Sequence, residues 1–171
     1  MATAGKNLSS YDKDKIPNAK LMRIAIVVSE WNEKITSQLL VGAKESLVDN
    51  GCLEEHILIE YVPGTFELPV GAQFILESKE VDAVICIGSV IQGETRHFDF
   101  VCNGAALGIK DIAIKHNKPV IFCVLTDMNE QQALDRSGGK HGNKGTEAGI
   151  AAIKMVDLKN RLTSRHQTAG F

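Results

Sequence analysis

Short apolar runs alternate along the chain with longer amphipathic stretches. The runs are seven to nine residues long and rich in β-branched side chains. Such continuous apolar segments are typical of parallel strands that are buried on both faces. The pattern predicts four strands, at 21–29, 56–62, 82–88 and 119–126.

The stretches between the runs carry apolar side chains at helical spacing. The first predicted helix covers 33–50, with Asn32 as its expected N-cap and Gly51 at its end. The second covers 66–78 and has Pro69 in its first turn, where proline is tolerated. Three more apolar stripes predict helices at about 98–113, 129–137 and 143–160, the last two separated by the sequence SGGKHGNKG.

This alternation predicts an α/β protein with a four-stranded parallel sheet, right-handed crossovers and helices on both faces. Ligands of such sheets bind beyond the carboxyl ends of the strands. Residues 21–160 form the one predicted domain. Residues 1–20 are polar and predict a flexible N-terminal arm, and residues 161–171 predict a polar C-terminal tail.

Composition and charge narrow the range of functions. The 171 residues have a net charge of −2, which gives no basic field for nucleic acid, and no apolar run is long enough for a membrane span. The first twenty residues contain no apolar core of a secretory signal, so we expect a cytoplasmic protein. The four cysteines lack C-x-x-C spacing and predict free thiols, and the scattered histidines predict no metal site.

The segment GSVIQGETRHFDF, residues 88–100, joins the third predicted strand to the third helix. Its glycines have the G-x-x-x-x-G spacing of a phosphate loop, but Glu94 stands where that loop needs lysine, which argues against a nucleoside triphosphate. A single phosphate remains compatible, because backbone N–H groups near Gly93 and Thr95 would begin a helix. An ordinary turn capped by Thr95 is the equally compatible alternative.

Three further side chains near the predicted strand ends have two interpretations each. His97, in the first turn of a helix, is either an acid/base group or a surface histidine. Trp31 and Phe66 follow the first two strands and either enclose a planar ring or cover the edge of the sheet.

Two other classes of α/β protein fit the sequence poorly. A flavodoxin, which carries electrons, would need a hydroxyl- and glycine-rich loop in place of Ser29–Asn32. A receiver domain, which is a signalling module, would need an acidic end to the third strand, but that strand ends in glycine.

Taken together, four segments resemble the lumazine synthase family. They are EWN at 30–32, VPGTFELP at 62–69, GSVIQGETRHFDFV at 88–101 and PVIFCVLT at 119–126, and the resemblance runs over about 21–160. It implies a flavodoxin-like three-layer α/β/α sandwich. It also implies a transferase that condenses 5-amino-6-(D-ribitylamino)uracil with 3,4-dihydroxy-2-butanone 4-phosphate in riboflavin biosynthesis, without a cofactor.

The resemblance also implies roles for individual residues. His97 would be the acid/base group, with Lys140 near the site, and Phe122 and Arg136 would enter from a neighbouring subunit. The residues implied for the pyrimidine and ribityl chain are Trp31, Asn32, Gly64, Thr65, Phe66, Glu67, Ser89, Val90, Ile91 and Phe122. Those implied for phosphate are Gly93, Glu94, Thr95 and Arg136.

The family resemblance extends to assembly. It implies a homopentamer with active sites between adjacent subunits, an N-terminal arm that can add to a neighbouring subunit, and riboflavin synthase as a candidate partner. The uninterrupted loop at 137–141 is similar to that of members that build a shell of twelve pentamers, a 60-mer. The charges of Glu94 and Arg96 depart from the family pattern, and we expect the Glu94 carboxylate to point away from phosphate. The alternative is a catalytically weak paralogue that binds flavin or lumazine.

Overall fold

The computed structural model of the protein describes residues 7–168, with side chains described as far as residue 163. Strands and helices alternate through most of this range, as the hydrophobic pattern predicts. In chain order the elements are β1 (Ile24–Ser29), α1 (Glu33–Asp49), β2 (Ile57–Val62), α2 (Leu68–Ser78), β3 (Ala83–Ile91), α3 (His97–His116), β4 (Val120–Asp127), α4 (Glu130–Arg136), β5 (Ser137–Gly139), β6 (Gly142–Asn143) and α5 (Lys144–Thr168).

The main sheet has four parallel strands in the order β2-β1-β3-β4, which confirms the predicted fold class. β1 lies at the centre, and its Ile24 pairs with Ile57 of β2 on one side and with Ala83 of β3 on the other. All six residues of β1 are buried. A central strand covered on both faces explains why its sequence is apolar without alternation.

The two faces of the sheet bury separate hydrophobic cores. Ile24, Ile26 and Val28 point to a core shared with α1 and α5. Ala25 and Val27 point to the opposite core, which is completed by α2 and α3. The layers are therefore helix, sheet and helix, and they confirm the predicted three-layer α/β/α arrangement.

Several element boundaries differ from the prediction. β1 begins at Ile24 rather than at residue 21, and Leu21 is 86% exposed. β3 continues past Gly88 to Ile91, because β4 extends equally far and pairs with its last residues. The predicted second helix is divided into a short 3₁₀ turn, Thr65–Glu67, and α2, which begins at Leu68. Pro69 lies in the first turn of α2, as predicted.

The sequence SGGKHGNKG, which separates the last two predicted helices, mostly forms the β5–β6 hairpin. Gly138 and Gly142 adopt positive φ angles, which favour glycine and allow the tight reversal. Asn143 anchors the hairpin to the neighbouring helices: its Nδ2 donates to the Gln38 carbonyl at 2.7 Å, and its Oδ1 accepts from the Gly145 N–H at 2.8 Å.

The sequence predicts a flexible N-terminal arm at 1–20 and a polar C-terminal tail at 161–171. Residues 1–6 of the predicted arm lie outside the described range, but Leu8 N donates to the His141 carbonyl at 2.8 Å and Ala19 is fully buried. α5 continues to Thr168, well into the predicted tail. Within α5, the Arg161 side chain pairs with Asp157 at 2.8 Å, one turn earlier.

Three general features of residues 7–168 bear on function. None of the helices there has the length and apolar character needed to cross a bilayer. Clusters of three or more metal-ligating side chains are absent from the same residues. The four cysteines are free, and burial raises the pKa of the Cys123 thiol to about 12 and that of Cys86 beyond its ordinary range, so these two are not nucleophiles at neutral pH.

Candidate functional site

A cleft of about 580 Å³ opens at the carboxyl ends of β1, β2 and β3, beside the start of α3. This is where ligands of open parallel sheets bind, because the loops that follow neighbouring strands meet there. Residues from three separate segments of the sequence share the cleft. They are Trp31 and Asn32, Gly64 to Glu67, Ser89 to Ile91, Gly93, Thr95, His97, Phe98, Phe100 and Val101.

The aromatic side chains of Trp31 and Phe66 stand exposed at the cleft. Trp31 is 72% exposed and Phe66 is 57% exposed, although side chains of this size are normally well buried. The Phe66 ring lies against α3 at Gly104, where a Cβ atom would come within 2.5 Å of the ring. The lack of a side chain at Gly104 therefore leaves room for the Phe66 ring to pack on α3, and both aromatics offer surface to a planar, apolar ligand.

Asn32 connects two strand ends at the floor of the cleft. It lies at the N-cap position of α1 in a left-handed conformation, with φ 61°. We predicted that its side chain would cap the helix, but it makes no capping hydrogen bond. Instead, its Nδ2 donates to the Ser89 carbonyl at 2.8 Å. This hydrogen bond orients the amide of Asn32 toward β3. The Asn32 Oδ1 is left as an acceptor beside the cleft.

The loop after β2 packs tightly against β3. Thr65 is buried, and a Cβ atom at Gly88 would lie 2.7 Å from its Oγ1. Gly88 therefore has no side chain because the Thr65–Glu67 turn occupies that space. At Gly64, a Cβ atom would come within 2.8 Å of the Glu67 carboxylate. Two close approaches thus hold this loop at the cleft wall.

The loop between β3 and α3 leaves its backbone open. A Cβ atom at Gly93 would meet nothing within 4 Å, so packing does not require glycine there. The Thr95 Oγ1 accepts from the His97 N–H at 3.4 Å, which leaves the hydroxyl hydrogen free to donate. Glu94 is exposed and outside the cleft lining, and Arg96 pairs with Asp99 at 3.3 Å rather than with Glu94.

His97 is the first residue of α3 and lines the cleft with an exposed side chain. An imidazole changes its protonation near neutral pH, so it can exchange protons with a ligand in the cleft. Phe98 and Phe100 line the cleft beside it. The site therefore combines a histidine, a helix N-terminus and exposed aromatic rings.

Comparison with known proteins identifies the family of the chain. The chain matches the 6,7-dimethyl-8-ribityllumazine synthase family over residues 21–160. It belongs to that family. Similar proteins with the same name occur in Flavobacterium johnsoniae, 58% identical over 97% of this chain and 87% of the relative, and in Christiangramia forsetii, 58% identical over 93% and 95%. A relative from Porphyromonas gingivalis is 48% identical over 93% of this chain and 99% of its own length.

Four residues implied by the lumazine synthase resemblance are outside the cleft of their own chain: Phe122, Lys140, Arg136 and Glu94. Phe122 is partly exposed on the edge strand β4, and Lys140 is exposed between β5 and β6. Arg136 ends α4, where its Nη1 donates to the Gln132 carbonyl at 2.8 Å. Within the described part of the chain, no lysine or arginine lines the cleft.

Sequence reasoning missed two residues that the fold places near these groups. Val101 lines the cleft one helical turn after His97, and this spacing of four residues was the available signal. Asp127 is a buried carboxylic acid at the carboxyl end of β4. The available signal for Asp127 was its place directly after the fourth apolar run, because the carboxyl ends of all parallel strands lie at the edge of the sheet that carries the cleft.

Proposed function

We propose that the protein catalyses the condensation of 5-amino-6-(D-ribitylamino)uracil with 3,4-dihydroxy-2-butanone 4-phosphate to 6,7-dimethyl-8-ribityllumazine, in riboflavin biosynthesis. Phosphate and water leave in this reaction. The observation that carries the proposal is the cleft itself, in a chain of this family. It brings together Trp31, from the segment after β1, with Gly93 and His97, from the segment after β3, around one space of about 580 Å³.

The pyrimidine would bind against the exposed aromatic rings. A planar heterocycle gains contact area and excludes water from the faces of Trp31 and Phe66. Asn32 Oδ1 and the Gly64–Glu67 turn supply polar partners for the ring and the ribityl chain, and Ser89, Val90 and Ile91 line the same side of the cleft. A small number of polar groups in a mostly apolar cleft is enough to orient a ligand.

The phosphate would bind at the start of α3. The helix N-terminus directs backbone N–H groups and a partial positive charge at an anion. Gly93 lets an anion approach the backbone because no side chain fills the open space there, and the Thr95 hydroxyl can donate to it. The exposed Glu94 carboxylate lies outside the cleft lining, so Glu94 would contribute through its backbone.

His97 would move the protons that the reaction requires. Imine formation, phosphate elimination and ring closure each involve a proton transfer, and a histidine beside both substrates can serve as acid and base. Much of the rate enhancement would come from holding the two substrates next to each other. None of these steps needs an electron carrier, and we propose that the enzyme works without a cofactor.

We also propose that the complete site lies between two copies of the chain. Among residues 7–163, whose side chains the structure describes, no arginine or lysine lines the cleft, whereas Arg136 is partly exposed elsewhere on the surface. α3 also exposes Phe100, Leu107 and Ile114, which recur every seventh residue and form one apolar stripe. A second copy that covers this stripe would bury apolar surface and bring in Arg136 and Phe122.

The assembly that we propose is a homopentamer, with a shell of twelve pentamers as its larger form. Lys140, exposed on the β5–β6 hairpin, would lie near the shared site. We propose the cytoplasm as the compartment, since free cysteines are typical of a reducing environment. Riboflavin synthase, a candidate partner, would use the product. Light scattering that found only monomers would contradict the assembly.

The decisive experiment combines both substrates with the purified protein. We expect the fluorescent lumazine to appear together with one equivalent of phosphate, faster than in the same mixture without protein. The alternative function, a flavin- or lumazine-binding protein, predicts tight binding of the product but no acceleration. That result would contradict the proposed enzyme and leave the binding function.

A further inference from the structure

Asp127 is an unusual residue because it is acidic and only 6% exposed. It is the last residue of β4 and pairs with Ile91 of β3, and its backbone carbonyl accepts from the Gln92 N–H at 2.9 Å. The backbone that carries the carboxylate is therefore fixed by the sheet. Buried carboxylates are rare unless a cation or several hydrogen bonds compensate them.

The compensation at Asp127 is incomplete. Its Oδ1 lies 3.6 Å from Nη1 of Arg136, which is an ion pair but too long for a hydrogen bond. Its Oδ2 is buried and has no hydrogen-bond partner among the described residues. Arg136 keeps its own hydrogen bond to the Gln132 carbonyl and remains partly exposed. One end of the guanidinium is thus held, and the remaining N–H groups are available to a ligand.

Burial disfavours the ionised form of Asp127 in the folded protein. Burial raises the pKa of Asp127 above its ordinary value of 3.8, and the charge of Arg136 lowers it only in part. The folded protein therefore binds the Asp127 proton more tightly than the unfolded chain does. The free energy of unfolding falls as the pH rises from the pKa of Asp127 in the unfolded chain to its higher pKa in the folded protein. Asparagine at this position would keep the shape and remove the cost of the charge.

We propose that Asp127 is a positioning residue, which holds the guanidinium of Arg136 in the orientation that binds the substrate phosphate. A guanidinium presents its donors in a rigid plane, so one fixed charge partner determines where the other donors point. This proposal rests on the proposed function, because it assumes that Arg136 contacts phosphate. It adds a buried residue that touches neither substrate and acts through Arg136.

The test compares wild type with Asp127→Asn in steady-state kinetics, varying each substrate in turn. We expect the KM for the phosphate-bearing substrate to rise about three- to tenfold, the effect of losing one partly buried charge partner. The KM for the pyrimidine and kcat should change less than about twofold, and the melting temperature should not fall. Glu130→Gln is the matched control: it removes the same charge from exposed Glu130 in α4, which pairs with Lys34.

A double-mutant cycle separates positioning from a structural role. In an Arg136→Ala background, Asp127→Asn should have almost no further effect on the KM for the phosphate-bearing substrate. An effect that persists there, or an equal rise in both KM values with a lower melting temperature, would overturn the positioning role. Wild type that forms product while Asp127→Asn changes no KM would overturn this proposal alone.

A failure of the proposed function would look different. Wild type would then form no lumazine at all, and inorganic phosphate binding, measured by calorimetry, would replace kinetics as the readout. Weaker phosphate binding by Asp127→Asn than by wild type and Glu130→Gln would still support the link from Asp127 to Arg136. Equal binding by all three proteins would overturn it.

Discussion

At the scale of single residues, His97 is the group that we propose exchanges protons with the substrates at the cleft. We expect His97→Ala to lower kcat by about a hundredfold, the low end of the range for loss of a general acid/base group, because holding the two substrates together would remain. The measurement is the initial rate of lumazine formation at saturating concentrations of both substrates.

The control for this variant is His141→Gln, which changes a histidine that does not line the cleft. It should leave kcat near the wild-type value. If His97→Ala also turned over at the wild-type rate, the assigned role of His97 would be wrong, and water or a substrate group would have to carry the protons.

Trp31 provides a direct signal of binding, because it is the single tryptophan of the chain and lines the cleft. A pyrimidine stacked on its exposed ring should change the intrinsic fluorescence in a saturable way. Trp31→Phe should bind within a few fold of wild type, measured by calorimetry, while Trp31→Ala should lose about 1 kcal/mol or more of binding free energy. A saturable ligand that leaves the Trp31 fluorescence unchanged would contradict stacking.

At the scale of elements, the packing of α5 on α1 depends on glycines. A Cβ atom at Gly145 would overlap the Leu39 carbonyl, and one at Gly149 would overlap the Ser46 hydroxyl. We expect Gly145→Ala to lower the free energy of unfolding by about 2 to 3 kcal/mol, because the helices would have to separate or shift. Thermal unfolding followed by circular dichroism measures the effect.

Gly93→Ala, in the loop between β3 and α3, is the control for Gly145→Ala, since its new methyl group would meet open space. Its stability should stay within about 0.5 kcal/mol of wild type. Equal loss of stability in both variants would show that glycine itself, and not the approach of α5 to α1, determines the result.

At the scale of the whole molecule, the proposed site requires His97 from one chain and Arg136 from the next. Mixing His97→Ala with Arg136→Ala, after dissociation and reassembly, should therefore restore activity. At equal amounts about one site in four would receive both native residues, by random assembly around a closed ring. Lumazine formation should exceed the mean of the two separate variants.

Reassembly of each variant alone is the control and should restore nothing. A mixture that merely equals the mean of its components would place His97 and Arg136 in the same chain or in different functions, and the shared site would be abandoned.

The amino-acid sequence by itself determined the alternation of elements, the parallel sheet and the edge where ligands bind. These follow from local periodicity and from short connections, which need no knowledge of distant contacts. Trp31 and His97 were candidates for the same reason, since each follows a predicted strand. The motif resemblance went further and indicated the family that the comparisons then showed.

Only the tertiary structure decided features that depend on contacts between distant parts of the chain. The Asn32 amide turned from the predicted cap to the Ser89 carbonyl, and SGGKHGNKG folded as a hairpin tied to α1. Asp127 was not a sequence candidate, and only the tertiary structure shows it buried beside Arg136. Such outcomes depend on which polar group is nearest in space when water is removed, and sequence spacing does not contain that information.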